Sequence, residues 1–348
     1  MLERELYEKY RIYPDAIFHI GSDQIVEAGG EKYLIRPTDE RMIKKVPEKN
    51  AMAQWLISQG DTDVAIFLPP DNRRHTVYID GADSLIFQVQ KPGDRQYRYR
   101  KTEGAGSRLA EFHNKGFGYT PNGKASARET SLTWKQRWER RLDQLEEWYM
   151  AKVQDPEKTL FDEDFFLTFP YYLGMSENAI QMMGEIEAAE RASYQTPGYN
   201  TICHERFSEK SWLTLDENNE SRVKVPSDFT YDHYTRDIAE YLRSTWLDNE
   251  TSRESAGKKI NTFLNEYESV RSLSGTDQKR LFARLMFPIH YFKVIERYYQ
   301  TLNDKEKIVM EQKALHIFNN SKEYEQLLAL LVRRYRSLRR SGLPEWIV

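Results

Sequence analysis

Thr201-Ile202-Cys203-His204-Glu205-Arg206-Phe207, then Pro226-Ser227-Asp228-Phe229, then Arg236-Asp237-Ile238: the reading of these three pieces decides the fold. Ile202-Cys203 is an apolar approach that delivers a polar loop at His204. A second extended run leads to Asp228, and Asp237 stands nine residues beyond it. Asp237 heads a helical pattern carrying Ile238, Tyr241 and Leu242, where an acid suits the helix N-terminus. A strand, a loop, a strand and a helix in this order set a polar loop beside a carboxylate.

Upstream, the first ninety or so residues read as strands around one helix. Ala16 to Ile20, Gln24 to Ala28 and Lys32 to Arg36 are short β-type runs, with Gly29-Gly30 as a hairpin signal between the last two. Val46 to Gln59 reads as a helix with Pro47 in its first turn and Gly60 closing it. Asp63 to Leu68, Arg73 to Asp80 and Ser84 to Gln90 resume the strand pattern. Lys91-Pro92-Gly93-Asp94 breaks it.

Downstream nearly everything is helical. Thr133 to Val153 carries Trp134, Trp138, Leu142, Leu145 and Tyr149 at spacings of three and four, one apolar stripe. Phe165 to Tyr172 and Ala179 to Ala192 read as buried helical segments. Arg236 to Leu247, Ala256 to Val270, Asp277 to Leu302 and Asp304 to Leu338 complete the set, with Pro288 expected to kink or interrupt the third. The expectation is an α+β, bilobal protein-kinase-like fold: a small antiparallel-sheet lobe over 1–92 and a large, mainly helical lobe over 93–348.

Composition narrows the function classes. Charged residues make up 30% of 348 but nearly cancel, to -3, so no global field points to nucleic acid or a membrane surface. A single cysteine excludes an internal disulfide. The charged start, Met1-Leu2-Glu3-Arg4-Glu5-Leu6, lacks the apolar core of a signal peptide, and no apolar run nears the roughly 20 residues that span a bilayer. The expectation is synthesis in a reducing cytoplasm, with no membrane insertion. With 22 Tyr, 16 Phe and 7 Trp, the chain is suited to a packed body.

The loop layout resembles the catalytic segment of phosphotransferases of the aminoglycoside and choline kinase type. There the first segment reads His-Gly-Asp, four residues and Asn, and the second supplies a metal-binding Asp. Phosphoryl transfer depends on positioning and on charge stabilisation of bound phosphates. Asp228 is the expected metal ligand, a carboxylate being the hard donor Mg²⁺ prefers. Arg206, however, stands where the catalytic Asp belongs and Ser211 where the Asn belongs. A general base contributes about 10²- to 10⁴-fold, and an arginine stays protonated and cannot be one. Glu205 or Glu209 would have to replace it. His204 is expected to brace the loop, and Asp237 to anchor it. In the sheet region Arg36 takes the place of a phosphate-binding lysine, with Glu48 as its ion-pair candidate. Between His19 and Gly30, where a phosphate-covering loop would lie, there is no Gly-x-Gly-x-x-Gly fingerprint.

The blocks from Thr201 to Phe207, from Pro226 to Phe229, Tyr231-Asp232-His233 and Arg236 to Glu240 resemble spore-coat-associated kinase-like proteins of the CotS and YutH type, most of all the YutH branch. Leu109-Ala110-Glu111-Phe112-His113 matches the Leu-Ala-x-x-His helix of that superfamily, and Phe169 to Met175 looks like the YutH pattern. The resemblance implies a kinase-like fold, deposition in the endospore coat and other coat proteins as partners.

Two hypotheses follow. One is a degenerate kinase fold, a pseudokinase, with a structural or interaction role and no confident catalytic residue or cofactor. The other is an active small-molecule phosphotransferase using ATP and Mg²⁺. Leu331 to Arg340 packs five arginines into ten residues before the apolar end Leu343-Pro344-Glu345-Trp346-Ile347-Val348, which reads either as a solvated helix face with a tail docked on the body or as a cationic segment that binds an acidic neighbour.

Overall fold

A computed structural model of the chain describes residues 2–70, 75–90, 104–121, 133–192, 200–215, 222–248 and 250–339. The expected break at Lys91 to Asp94 and the apolar end from Leu343 lie outside them. The chain forms two compact units. The first takes Met1–Ala127, Tyr199–Asp237 and Phe263–Arg271; the second takes Arg128–Gly198, Ile238–Thr262 and Ser272–Val348. Where the sequence reading divides the chain in order at residue 92, these units interleave.

In the first unit, helix α1 (Leu2–Tyr10) precedes strands β1 (Ala16–Ile20), β2 (Asp23–Ala28) and β3 (Glu31–Pro37). A short helix α2 (Glu40–Ile43) and helix α3 (Val46–Ser58) follow, then β4 (Ile66–Leu68), β5 (Val77–Ile79) and β6 (Ala82–Val89). The strands form one six-stranded sheet, ordered β1-β2-β3-β6-β4 with β5 also on β6, and every pairing is antiparallel. Gly29-Gly30 and Asp80-Gly81 have positive φ at both positions, the requirement of the tight hairpin turns that join β2 to β3 and β5 to β6.

The period of two along each strand splits the sheet between two cores. Ile25, Leu34, Leu85 and Phe87 go to one face with Val46 of α3. Val26, Ile35 and Ile86 go to the other, where Leu2 and Leu6 of α1 cover them. The sequence reading missed α1 because its apolar stripe is only these two residues at i and i+4.

The same unit contains helix α4 (Ala105–Gly116) and the hairpin partners β7 (Asn200–His204) and β10 (Phe229–His233). Strands β8 (Trp212–Thr214) and β9 (Arg222–Lys224) make a second ladder. Gly116 permits the close approach of α4 to β7: a Cβ there would lie 2.5 Å from Thr201 Oγ1 and 2.9 Å from the Ile202 nitrogen.

Helices dominate the second unit. They are α5 (Trp134–Gln154), α6 (Leu160–Ala192), most of α7 (Thr235–Trp246) and of α8 (Arg253–Val270), α9 (Gly275–Met286), α10 (Ile289–Gln300), α11 (Asp304–Asn319), α12 (Ser321–Arg334) and α13 (Arg336–Arg339). The two segments expected around Phe165 and Ala179 are one helix of 33 residues that accommodates Pro170. Pro288 does separate α9 from α10, as a residue lacking N–H and excluding the preceding helical turn should. The antiparallel sheet with a mainly helical remainder is the expected α+β class.

Candidate functional site

Arg36, on β3, reaches two carboxylates. Its Nε and NH2 donate to the Asp23 oxygens at 2.8 and 2.6 Å, a bidentate pair. Its NH1 donates to both oxygens of Asp228, at 2.8 and 2.9 Å, and to Ser227 Oγ at 2.8 Å. Burial opposes the charge on Arg36, yet Asp23 and Asp228 outweigh it and hold the guanidinium pKa above its ordinary value. One cation thus faces two carboxylates, for a local charge of −1. Arg36 and Asp228 lie in direct contact with each other. Their expected tasks were to hold phosphate and metal separately.

Glu48 is not the partner of Arg36. The inward position on α3 belongs to Lys49, whose side chain is 5% exposed and donates to Glu205 Oε1 at 2.8 Å and to the Phe229 carbonyl at 2.7 Å. Burial lowers the Lys49 pKa, and Glu205 partly restores it. The charge of Glu48 is instead felt by Tyr119, whose phenol is pushed up to about 12 by burial first and Glu48 second. A signal for Lys49 existed. With Val46, Met52, Ala53 and Leu56 it occupies the buried stripe of α3, and it is the one charged residue there.

Asp237 is fully buried and accepts from the His204 backbone N–H at 3.0 and 2.9 Å and from His204 Nδ1 at 2.8 Å. Trp212 Nε1 donates to His204 Nε2 at 2.9 Å, which fixes the proton of His204 on Nδ1. On its other side Asp237 lies 3.2 Å from His113 Nε2, while His113 Nδ1 lies 2.8 Å from the Tyr267 hydroxyl. Burial alone would raise the Asp237 pKa; the two histidines outweigh it and hold the carboxyl well below its ordinary range. The ring of His204 packs against Phe112, Phe207, Trp212 and Phe229. His204 is therefore a packed, hydrogen-bonded brace.

The remaining loop residues face elsewhere. Arg206 is exposed, and its side chain has no hydrogen bond or ion pair among the described residues. Ser211 Oγ accepts from Ser208 N at 2.8 Å and donates to the Arg206 carbonyl at 3.0 Å, so its hydroxyl closes its own turn. Glu209 sits exposed on that turn. Arg236 clamps the loop from behind, donating to the carbonyls of His204 and Glu205 at 3.1 and 3.0 Å. A further pair, absent from the sequence reading, is buried Lys224 on Asp61 at 2.6 Å, with its ammonium over the rings of Phe112 and Trp212.

The donor set does not fit Mg²⁺ and a nucleotide phosphate as it stands. Both Asp228 oxygens already accept from the Arg36 guanidinium, and Asp23 places a carboxylate in the span where phosphates would be covered. Glu205, one of the two candidate replacement bases, is paired with Lys49.

The buried histidines set the pH response. His113 is held below its ordinary pKa by burial, and in the second unit burial, with Arg243, pulls His290 down to about 3. For both, the unfolded chain takes up the proton first as pH falls. Their contribution is complete above about pH 6.5 and is lost below it. Asp237 adds a further loss below about pH 4, as pH falls from its unfolded value toward its depressed folded one. Thermal midpoints should be level between about pH 7 and 9 and decline steadily below about 6.5. A flat profile down to about pH 5 contradicts this assignment.

Residues 3–331 match the family described as "Spore coat putative kinase YutH". The chain is 34% identical over 329 residues to the endospore coat-associated protein YutH of Bacillus subtilis, covering 94% of this chain and 92% of the relative. Among solved structures it is similar to an aminoglycoside phosphotransferase from Alicyclobacillus acidocaldarius, with TM-score 0.61, 15% identity and 94% of each chain covered. It is also similar to a spectinomycin phosphotransferase, with TM-score 0.58 and 11% identity over 94% of this chain and 97% of the other. A microcompartment-associated aminopropanol kinase gives TM-score 0.56 and 13% identity over 94% and 98%. At these identities the structural likenesses establish the kinase-like fold alone.

Proposed function

The chain belongs to the spore coat YutH family, and from that premise we propose that it serves in the endospore coat as a structural and interaction protein, its kinase-like site closed by its own side chains. Other coat proteins are its partners in this reading, and it is deposited in the coat after synthesis in the cytoplasm. The observation that carries the proposal is the Arg36 guanidinium lying between Asp23 and Asp228. An enzyme would need that arginine for phosphate and that aspartate for metal. Here each engages the other, and in the sequence a permanently charged arginine, Arg206, stands where the resemblance puts the base.

Millimolar ATP with Mg²⁺ should leave the thermal midpoint unchanged, whereas a ligand at 100 times its dissociation constant would stabilise the fold by roughly 2.7 kcal/mol. Asp228→Ala, provided it folds, should still enter the coat. The competing reading, an ATP- and Mg²⁺-dependent small-molecule phosphotransferase, draws on the shared fold and on Asp228. It requires the clamp to open, and a clear nucleotide shift together with phosphate transfer to a small alcohol would establish it in place of the assembly role.

A further inference from the structure

We propose that the chain associates head to tail with copies of itself, the arginines at the end of α12 and in α13 seating on the acidic group shared by α5 and α6 of the next copy. Both surfaces belong to the second unit. Arg333, Arg336 and Arg339 are exposed, and none has a carboxylate partner among the described residues. Arg339 donates to the carbonyls of Val332 and Arg333, at 3.2 and 2.5 Å. Those bonds hold it at the C-terminal end of α12 and leave its charge unneutralised. The neighbouring Arg334 is committed differently, lying over the Tyr335 ring and reaching Asn261. A helix end attracts cations, and Arg333 stands in the last turn of α12 where Arg339 also docks, but neither these two nor Arg336 meets a carboxylate among the described residues.

The complement lies on α5 and α6. Asp143, Glu146 and Glu177 are exposed and have no cationic partner among the described residues. Asp143 and Glu146 are three residues apart on α5, and burial, then Asp143, then Glu177 raise the Glu146 carboxyl above its ordinary value. Exposed arginines on one surface and exposed carboxylates on another make the two charge-complementary. With a net charge of only -3, whole copies repel weakly. The two surfaces differ, so the contact is heterologous and leaves one of each free at the ends of every assembly, which therefore extends unless its geometry closes a ring. That suits a protein whose proposed setting is a layered coat. The inference builds on the assembly role, but its test does not involve nucleotide.

Sedimentation of the full chain should show the average mass rising with concentration from the 41.3 kDa monomer at ~50 mM salt, and returning to monomer at ~500 mM, where screening shortens the reach of charge. R333E/R336E and, separately, D143K/E146K should each weaken association at least about tenfold. The substituted positions are exposed, so melting midpoints matching the parent serve as the folding control. Mixing the two variants should restore association, because each then meets a surface of opposite sign. A chain that stays monomeric at low salt overturns the proposal. So does association that survives both charge reversals, and so does a mixture that stays monomeric when each variant is folded.

Discussion

Asp237→Ala should lower the stability of the chain by about 3–5 kcal/mol, because it leaves two imidazole N–H groups and one backbone N–H buried without an acceptor. The carboxylate is the point at which four segments meet: His204 at the end of β7, His113 on α4, Tyr267 through His113, and α7, which carries Asp237 itself. Asp237→Asn should recover only part of the loss. An amide retains one acceptor oxygen but no charge, and its NH₂ would confront the proton on either histidine. Urea melts of the two variants against the parent test this. A loss below about 1 kcal/mol for the alanine variant would mean the histidines find other partners, and Asp237 would cease to be the anchor of the loop.

The second large effect is expected at Arg36. Arg36→Ala removes the cation between Asp23 and Asp228 and should cost about 3 kcal/mol, since the guanidinium is largely buried and Asp23 would be left buried without a counter-charge. Two consequences separate this from a simple loss of packing. In Arg36→Ala/Asp228→Ala the costs should fall short of additive by about 1–2 kcal/mol, because the partners act as one group. In addition, Mg²⁺ or Mn²⁺ should raise the midpoint of Arg36→Ala but not of the parent, the two freed carboxylates being hard oxygen donors. Additive costs and no metal response would reduce Arg36 to a spectator and remove the main support for a self-closed site.

Much of this site was legible in the chain. His204, Asp228 and Asp237 were singled out because the layout of their segment resembles the catalytic segment of aminoglycoside- and choline-kinase-type phosphotransferases. Which carboxylate neutralises Arg36 was not legible: Asp23 lies on the neighbouring strand and Asp228 is 192 residues away, and nothing local favours them over Glu48. Lys49, Asp61 and Lys224 were missed for the same reason. A buried charge is recognisable in sequence only when it interrupts an apolar stripe, as Lys49 does. Asp61 and Lys224 interrupt none.

The sequence by itself determined a strand-rich first part and a mainly helical remainder, the turn at Gly29-Gly30 and the break at Pro288, because each follows from local periodicity or backbone freedom. Tertiary structure alone decided that Arg36 closes on Asp23 and Asp228, that Lys49 takes Glu205, and that Asp237 bridges two histidines. Ion-pair partners are chosen by distance in space once burial makes an unpaired charge costly, and that distance exists only after the sheet, the loop and α7 have packed.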